Sequence, residues 1–381
     1  MTDTRPLALV ISPQPWTGFQ VSKHHYAQAL AGRGWRVVFV DPPSPDIRPG
    51  EIRLAPTTVE NLESLQYRPA LPHALKFHAR WLFDRMMRRQ ARAIRRRVGR
   101  PDLIWDFDNA YQFRDLRVFD ARRSLFHLVD DVGDRGQGGK HADHVFTLHP
   151  VFCAHAGVPC RPDHVIDHGL GALHMEEARR PAGPRRAGAA PGLGFVGNLG
   201  AGWIDWEAMA EMVRRHSEAR FTFWGPLPET WDRAEALNRV LAMPNVEFPG
   251  LTAPEDILAT SDDIDVWLLP FRAEAFDSTR PLNSHKVLEY LATGKCVLMS
   301  WLEAYDGNPL VHVSAGPQAD DLPDRLDALL NDLDAANAPE RQAARKAHAL
   351  ERGYDRHLDH ILSVVGLGAA AERPKGSEDA A

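Results

Sequence analysis

Short apolar runs alternate with amphipathic stretches along the chain, and this alternation sets the predicted architecture. An apolar run at 7–12 is followed by a helical pattern at 22–33, which ends at Gly34. Further runs in the first half with the length and composition of buried strands lie at 35–40, 103–107, 124–129, 144–148 and 165–170. Strands separated by helices predict a parallel sheet with right-handed crossovers.

The second half repeats this pattern. A strand runs into a glycine-rich turn within 192–200, and later strands are predicted at 220–224, 246–248, 266–269 and 296–299. Residues 173–191 are rich in Pro, Gly, Ala and Arg, a composition typical of a linker. The prediction is an α/β chain of two domains, at 1–172 and 192–337, followed by a helix at 338–365 and a disordered tail at 366–381.

Composition limits the possible classes of function. The chain has 381 residues, of which 44% are apolar and 25% are charged, as expected for two globular domains. A net charge of -6 argues against a general nucleic-acid binder, and three cysteines indicate a reducing compartment. The first six residues lack the features of a signal peptide, and no apolar run reaches the ~20 residues of a membrane-spanning helix. We therefore expect a cytoplasmic protein.

Two kinds of site are not expected. No G-x-G-x-x-G motif follows the first strand, which argues against a dinucleotide oxidoreductase. Cys153, His155, Cys160 and His164 lie close together in sequence, but their spacing fits no standard zinc pattern. We therefore expect neither a cofactor nor a metal.

The stretch from 281 to 299 is the main candidate for binding chemistry. Pro281, Asn283 and Ser284 are typical of a helix start, and Gly294 is typical of a helix end. A helix start carries unpaired N–H groups and about half a positive charge, so it favours the binding of a phosphate. The predicted unit is a loop, a short helix and a strand.

The predicted helix also carries two charged side chains that suit a nucleotide ligand. Lys286 adds a positive charge on the first turn. Glu289 follows three residues later, and its carboxylate can accept two hydrogen bonds from a diol such as ribose. The alternative is an ordinary amphipathic helix with a Lys–Glu pair on its surface.

Residues 283–297 resemble the N-P-x-K-x-x-E-Y-x-A-x-G-K-P-V segment of bacterial glycosyltransferases with the GT-B architecture. Cys296 stands at the position of the Pro. The resemblance implies two Rossmann-like domains that face each other across a cleft, with a closing helix that crosses back to the first domain. It also implies that Glu289 holds the donor's ribose and that the diphosphate faces the residues at the helix start, Asn283, Ser284, His285 and Lys286.

Other loops of the second half take donor roles by the same resemblance. Gly197 and Asn198 lie in the glycine-rich turn, where backbone N–H groups can approach a phosphate closely, although such a turn also occurs without a ligand. Gly225 and Gly250 follow later strands, and the Gly250 loop corresponds to one that meets the nucleobase in relatives. Arg272 is a candidate phosphate clamp because guanidinium groups suit phosphate oxygens.

The first half resembles a subgroup of these transferases, the family 1/family 4-like enzymes of cell-wall and surface-polysaccharide assembly (teichuronic-acid type). Residues 22–43 are similar to the pattern R-P-Q-H-L-A-x-x-L-A-x-x-G-H-R-V-x-Y-V-x-P-P, with His25 on its first His. We expect Trp16, Gly18 and His25 on the acceptor side, because ligands of such sheets bind beyond the carboxyl ends of the strands. The alternative for His25 is a capped histidine that faces the core.

A pair of acids ends another predicted strand of this half. Residues 125–131 resemble the Y-D-x-V-D-D strand end of the same subgroup, so Asp130 and Asp131 are candidates for a general base. The alternative is that they cap the next helix. Relatives that retain anomeric configuration often carry a Glu eight residues before the ribose Glu, where this chain has Pro281. Inversion is therefore favoured, and retention stays open.

Residues 73–100 predict a strongly basic helix. Ten Lys and Arg residues and one acid, Asp84, occupy its polar faces. Its apolar positions are Phe77, Trp81, Leu82, Met86, Ala91, Ile94 and Val98. Such helices can lie on anionic bilayers, where each basic residue contributes about 1 kcal/mol. The alternative is a solvated helix in a chain that is rich in Arg throughout.

Together these features predict a glycosyltransferase of the hexosyltransferase type. It would move a sugar from a nucleoside diphosphate donor, with UDP expected, to a glycan or lipid-linked acceptor in surface-polysaccharide biosynthesis at the inner face of the plasma membrane. Lys286 would meet the charge of the leaving group. The alternatives are a nucleotide-sugar epimerase on the same frame and a catalytically silent sugar-nucleotide-binding subunit.

Overall fold

The computed structural model describes residues 4–108, 112–133, 139–183, 185, 188–229, 234–272 and 284–368. Its strands are β1 (Leu7–Ile11), β2 (Arg36–Val40), β3 (Ile52–Pro56), β4 (Leu62–Tyr67), β5 (Leu103–Asp106), β6 (Arg123–Leu128), β7 (His144–Thr147), β8 (Gly192–Val196), β9 (Arg220–Trp224), β10 (Val246–Gly250), β11 (Val266–Leu269), β12 (Cys296–Met299) and β13 (His312–Val313).

The α-helices alternate with these strands. They are α1 (Ser22–Gly32), α2 (Leu75–His78), α3 (Arg80–Val98), α4 (Pro150–Ala156), α5 (Ala172–Arg179), α6 (Trp206–Arg215), α7 (Glu235–Leu241), α8 (Pro254–Ala259), α9 (His285–Ala292), α10 (Leu322–Asn331), α11 (Leu333–Ala336), α12 (Pro339–Leu350) and α13 (Tyr354–Val364). Within the described ranges, no helix has both the length and the apolarity needed to cross a bilayer.

The chain divides into two compact units. The first contains the described residues up to Asp167 together with those from Tyr354 onward, and the second runs from His168 to Gly353. The first unit is built on a sheet with the strand order β3-β4-β2-β1-β5-β6-β7, in which β3 runs antiparallel to β4 and the other pairs are parallel. Every residue of β1 is buried, as expected for a strand that helices cover on both faces.

The second unit is built on a parallel sheet with the order β10-β9-β8-β11-β12-β13. Its centre depends on a close approach at Gly194 of β8, where a Cβ atom would lie 2.6 Å from the ring of Trp267. Trp267 in turn stacks on Tyr290 of α9, with ring centroids 4.6 Å apart, and its indole N–H donates to Thr293. These contacts fix α9 against the sheet. The two sheets confirm the predicted α/β class, with every strand pair parallel except β3 with β4.

One pair of strands has no counterpart in the prediction. Strands β3 and β4 lie within residues 44–72, where the sequence predicts no element. They form the antiparallel edge of the first sheet, and every residue of β3 keeps part of its surface accessible. Edge strands of this kind carry polar residues on the exposed face, so they lack the continuous apolar run that marks a buried strand.

Three predicted boundaries are wrong. Residues 165–170 make only isolated bridges, from Val165 to Thr147 and from Leu170 to Gly353, instead of a strand. The predicted linker at 173–191 begins with helix α5. The single helix predicted at 338–365 is two helices, α12 in the second unit and α13 in the first, where α13 packs against α1. Of the predicted tail, 369–381 lie outside the described residues.

Candidate functional site

Three loops at the carboxyl edge of the second sheet are joined by their backbones. The N–H of Gly197 donates to Trp224 O (3.0 Å), and the N–H of Gly225 donates to Gly250 O (2.9 Å). Gly225 has a φ of +140°, and a Cβ atom at this position would lie 1.7 Å from Gly197 O. Only glycine permits this approach. The structure therefore brings the predicted donor loops together at one edge.

The loop that follows Gly197 is also fixed to the end of β11. The exposed Asn198 accepts the N–H of Gly200 through its side-chain oxygen (3.0 Å), which closes a local turn. Further on, the N–H of Arg272 donates to Trp203 O (2.8 Å). Arg272, the predicted phosphate clamp, is exposed and extends this edge. Residues 273–283 lie outside the described residues, so the prediction for Asn283 has no structural counterpart.

Helix α9 is aligned with the same edge by its buried face. It begins at His285 directly after Ser284, whose side chain caps no N–H group of the helix within the described residues. The N–H of Val196, the last residue of β8, donates to the Tyr290 hydroxyl oxygen over 2.8 Å. Because Gly197 follows Val196, this bond links the glycine loops to α9.

The partly exposed face of α9 carries the predicted charged pair. Lys286 Nζ lies 2.7 Å from Glu289 Oε2, and the two side chains keep 25% and 24% of their surface accessible. Burial raises the pKa of the Glu289 carboxyl, but the charge and hydrogen bond of Lys286, together with the nearby imidazoles, outweigh it and hold the pKa below its usual range. Glu289 is therefore a carboxylate at neutral pH, and it does not face an apolar interior.

Histidines surround this pair, and the sequence indicates only one of them. The His285 ring packs edge-to-face against His168 at 5.7 Å, and its Nε2 lies 3.9 Å from Glu289 Oε1. His174 of α5 also faces the pair, since Glu289 and Lys286 both act on its charge. Burial lowers the pKa of His174, so its ring is neutral at pH 7. His174 has no sequence signal because it lies in the predicted linker.

The loop after β1 gives the predicted acceptor residues different surroundings. Trp16 is buried and packs against His24 and Phe39, so it supports the loop from within the core. Gly18 has a φ of +119° with open space around its Cα. His25 is half-buried and stacks on Tyr354 of α13 at 4.9 Å. The histidine of this helix that faces the core is His24, which is fully buried and whose Nδ1 accepts the N–H of Val21 (3.2 Å).

The two acids after β6 differ from each other. Asp131 Oδ1 accepts the N–H of Gly133 (3.1 Å), and its Oδ2 lies 3.0 Å from His155 Nδ1. Asp131 thus closes a turn, in partial agreement with the alternative of a capping acid. Asp130 is exposed at the end of the strand.

Lys23, which the sequence does not mark, is near enough to Asp130 for the carboxylate to act on its charge. It is 4% exposed on the first turn of α1, and Asp108 and Asp130 both act on its charge. Among the described residues no hydrogen bond or ion pair to its ammonium group is found. Burial lowers the pKa of Lys23 to about 8 against the opposing effect of the two acids. A buried lysine of this kind is a candidate functional residue.

Buried acids complete this edge of the first sheet. Asp41 accepts the N–H of Trp16 (2.8 Å) and the hydroxyl of Ser64 (2.7 Å), and burial raises its pKa. Asp106 accepts the N–H of Asp108 (2.7 Å), and burial together with the charge of Asp108 raises its pKa well above the usual value. In the part of the chain that the structure describes, no three His, Cys, Asp or Glu side chains are grouped as metal ligands.

No protein-family model and no curated protein sequence matches the chain. Solved structures are similar to it over almost its whole length. Sucrose-phosphate synthase from Thermosynechococcus elongatus has a TM-score of 0.66 at 15% identity, covering 94% of this chain and 98% of that one. A glycosyltransferase from Rickettsia africae has 0.65 at 12% identity, covering 95% and 98%. Anabaena HepE, in complex with UDP and glucose, has 0.61 at 12% identity, covering 94% and 98%.

These likenesses show the fold. The chain has the GT-B fold of these glycosyltransferases, as the resemblance of residues 283–297 implies. At such low identity the fold does not carry over an activity, which has to be argued from the residues at the two sheet edges.

Proposed function

We propose that the protein is a glycosyltransferase that moves a sugar from a nucleoside diphosphate donor to an acceptor hydroxyl. The second unit holds the donor and the first unit holds the acceptor. The observation that carries the proposal is the pairing of Glu289 with Lys286 on the partly exposed face of α9, the helix that Tyr290 links to the glycine loops.

Each end of the donor has a matching group in this proposal. Glu289, as a carboxylate, accepts two hydrogen bonds from the 2′ and 3′ hydroxyls of the ribose. Lys286 has three N–H donors, so it can bind a phosphate oxygen while it keeps its bond to Glu289. The turn at Gly197 exposes backbone to the phosphates, and Arg272 adds a second cation. UDP is the proposed nucleotide because HepE was solved with UDP and glucose.

In the transfer step, Asp130 acts as the general base. The acceptor O–H gives its proton to the Asp130 carboxylate while the oxygen bonds to the anomeric carbon of the sugar. The bond from that carbon to the diphosphate oxygen breaks, and the diphosphate leaves with the electron pair. Lys286 and the start of α9 stabilise the new negative charge in place of a metal ion. Because the acceptor oxygen attacks the anomeric carbon from the side opposite the diphosphate in a single displacement, the anomeric centre is inverted.

The acceptor is proposed to be a glycan or a lipid-linked sugar used in surface-polysaccharide biosynthesis. Support comes from α2 and α3, where Phe77 and Trp81 are 76% and 72% exposed instead of packing in the core. Exposed aromatic rings beside a row of arginines are typical of a helix that lies on an anionic bilayer. We therefore propose peripheral attachment to the cytoplasmic face of the plasma membrane.

One experiment separates this function from its alternatives. The protein is incubated with labelled UDP-, GDP- and TDP-sugars, with and without a membrane extract as the source of acceptor. A transferase releases nucleoside diphosphate and labels the extract only when both are present. An epimerase converts the donor without extract, and a silent binding subunit binds donor without converting it. Either of the last two results contradicts the proposal.

A further inference from the structure

A cavity of about 180 Å³ opens between α3 and the segment that follows residue 112 in the first unit. Its polar lining consists of Asp84, Arg88, Arg114, Asp115 and His141. It lies away from the residues assigned above to donor and acceptor, none of which lines it. The volume exceeds that of several water molecules, so a phosphate group with its attached carbon atoms fits.

Both carboxylates of the cavity are already matched by guanidinium groups. Arg80 Nε lies 2.7 Å from Asp84 Oδ1, and Arg114 approaches the other oxygen of Asp84 at 3.6 Å. Arg117 binds Asp115 through two hydrogen bonds, which hold the pKa of that carboxyl below its usual value. Both acids are therefore paired with arginines of the same unit.

Arg88 leaves the cavity with an excess of positive charge. Across the described part of the chain it has no ion-pair partner. Among the described residues, four guanidinium groups, those of Arg80, Arg88, Arg114 and Arg117, lie near two carboxylates, those of Asp84 and Asp115, so positive groups outnumber negative ones here. Met87 and Phe113, which are 2% and 4% exposed, supply apolar lining beside this charge. The chemistry suits an anion that is attached to a short carbon chain.

The position of Arg88 connects the cavity with the proposed membrane face. Trp81, Arg85, Arg88 and Arg92 are spaced four, three and four residues apart, and all four are exposed. This spacing places them on one face of α3. A bilayer that meets Trp81 would therefore bring its headgroups to the residue that lines the cavity.

We infer that this cavity binds the phosphate of an anionic lipid headgroup. The guanidinium groups of Arg88 and Arg114 hold the phosphate oxygens, and Met87 and Phe113 contact the glycerol carbons. The inference rests on the membrane-attachment half of the proposed function and is independent of sugar transfer.

Vesicle co-sedimentation tests it with two compositions. Phosphatidylcholine vesicles receive their negative charge either from phosphatidic acid or from oleate, and the two sets are matched in zeta potential. The wild type is compared with Arg88→Gln and with Arg92→Gln, a variant on the same exposed face whose residue does not line the cavity. Thermal unfolding confirms that each variant is folded.

We expect the wild type to bind phosphatidic acid vesicles at least fivefold more tightly than oleate vesicles. Arg88→Gln is expected to lose this preference, and its affinity for phosphatidic acid vesicles should be lower by about tenfold or more. Arg92→Gln should have about fivefold lower affinity for both sets of vesicles, as expected when one basic residue near a charged surface is removed. Titration with soluble glycerol 3-phosphate forms a third arm, in which weak binding is expected because the bilayer is absent.

Three results overturn the inference. Equal losses of affinity for the two variants on both vesicle sets mean that α3 binds by charge alone. This result contradicts the lipid phosphate site in the cavity but leaves membrane attachment in place. Tight binding of glycerol 3-phosphate without a vesicle preference makes the cavity a site for a soluble ester. No binding to either vesicle set removes both the cavity and membrane attachment, whereas the incubation with labelled nucleotide sugars and membrane extract tests sugar transfer separately.

Discussion

The carboxyl edges of the two sheets differ in how their charges are compensated. At the edge of the second sheet, the glycine loops bond to each other and Glu289 is paired with Lys286. At the edge of the first sheet, Lys23 is buried without an ion pair to any described residue, and Asp106 has a strongly raised pKa. The charges at the edge of the second sheet are therefore paired without a ligand, whereas the edge of the first sheet carries a buried charge that lowers the free energy of unfolding.

This difference matches what each unit is proposed to bind. A nucleoside diphosphate brings the same groups to every reaction, so a preorganised set of donors and one carboxylate suits it. An acceptor brings several neutral hydroxyl groups, which can pair with the ammonium of Lys23 and the neighbouring acids on arrival. Proteins retain such destabilising groups mainly where function requires them.

The largest predicted effect separates the two acids after β6. Asp130→Asn is expected to lower kcat about 10²- to 10⁴-fold with unchanged donor affinity, because it removes the general base. Asp131→Asn serves as the matched control and should cost far less, since Asp131 binds Gly133 and His155. Steady-state transfer assays measure both. Equal losses in the two variants would remove the assignment of Asp130.

The next effect concerns Lys286. Lys286→Ala is expected to lower kcat about 10²- to 10³-fold, the size seen when one donor to a developing negative charge is removed. Lys286→Arg keeps the charge and should recover part of this loss. The rate of UDP release in single-turnover experiments measures both the loss and the recovery. A kcat in Lys286→Ala equal to the wild-type value would show that the leaving group is stabilised elsewhere.

The close packing of the donor loops can be broken directly. Gly225→Ala should lower the free energy of unfolding of the second unit by about 3 kcal/mol and abolish donor binding, because the new Cβ collides with Gly197 O. Gly202→Ala is the control, since open space surrounds Gly202. Urea unfolding followed by Trp fluorescence measures both variants. A Gly225→Ala protein as stable as Gly202→Ala would contradict the described contact.

The smallest predicted effect is a gain in stability, whereas Gly225→Ala is expected to lower stability. Lys23→Met removes a buried ammonium, so it should raise the free energy of unfolding at pH 7 by about 1–3 kcal/mol while it lowers transfer activity. The pKa of Lys23 is lowered to about 8 in the folded protein, so the folded state loses this proton first as the pH rises. Wild-type stability should therefore rise from about pH 8 and approach that of the variant near pH 10.5.

Urea unfolding of wild type and Lys23→Met at pH 7 and pH 10 tests this expectation. A variant that is less stable than the wild type at pH 7 would mean that Lys23 forms a stabilising ion pair, and the contrast between the two edges would disappear.

Several buried strands could be predicted from the sequence close to their observed bounds. Strand β12 begins at Cys296 and ends at Met299 as expected, because a strand covered on both faces leaves a continuous apolar run. The pairing of Glu289 with Lys286 also follows from their spacing on a helix. These features depend on residues that are close together in the chain.

The features that the sequence did not predict depend on distant residues. Lys23 is unusual because tertiary packing buries its ammonium group, and the two acids that act on its charge, Asp108 and Asp130, are more than eighty residues away in the chain. His174 faces Glu289 because α5 packs against α9, and no pattern within 172–179 indicates this contact. The edge strand β3 was missed because its partial exposure removes the apolar signal. Tertiary packing, rather than local propensity, decides all three.

The most direct test of the central claim measures the bond between Glu289 and ribose. Titration calorimetry compares UDP with 2′,3′-dideoxy-UDP for the wild type and for Glu289→Ala. The wild type should lose about 100-fold in affinity when both hydroxyls are removed, because each bonds to a charged group. Glu289→Ala should bind the two nucleotides within about threefold of each other, since the partner of the hydroxyls is gone. Equal losses in both proteins would contradict the account.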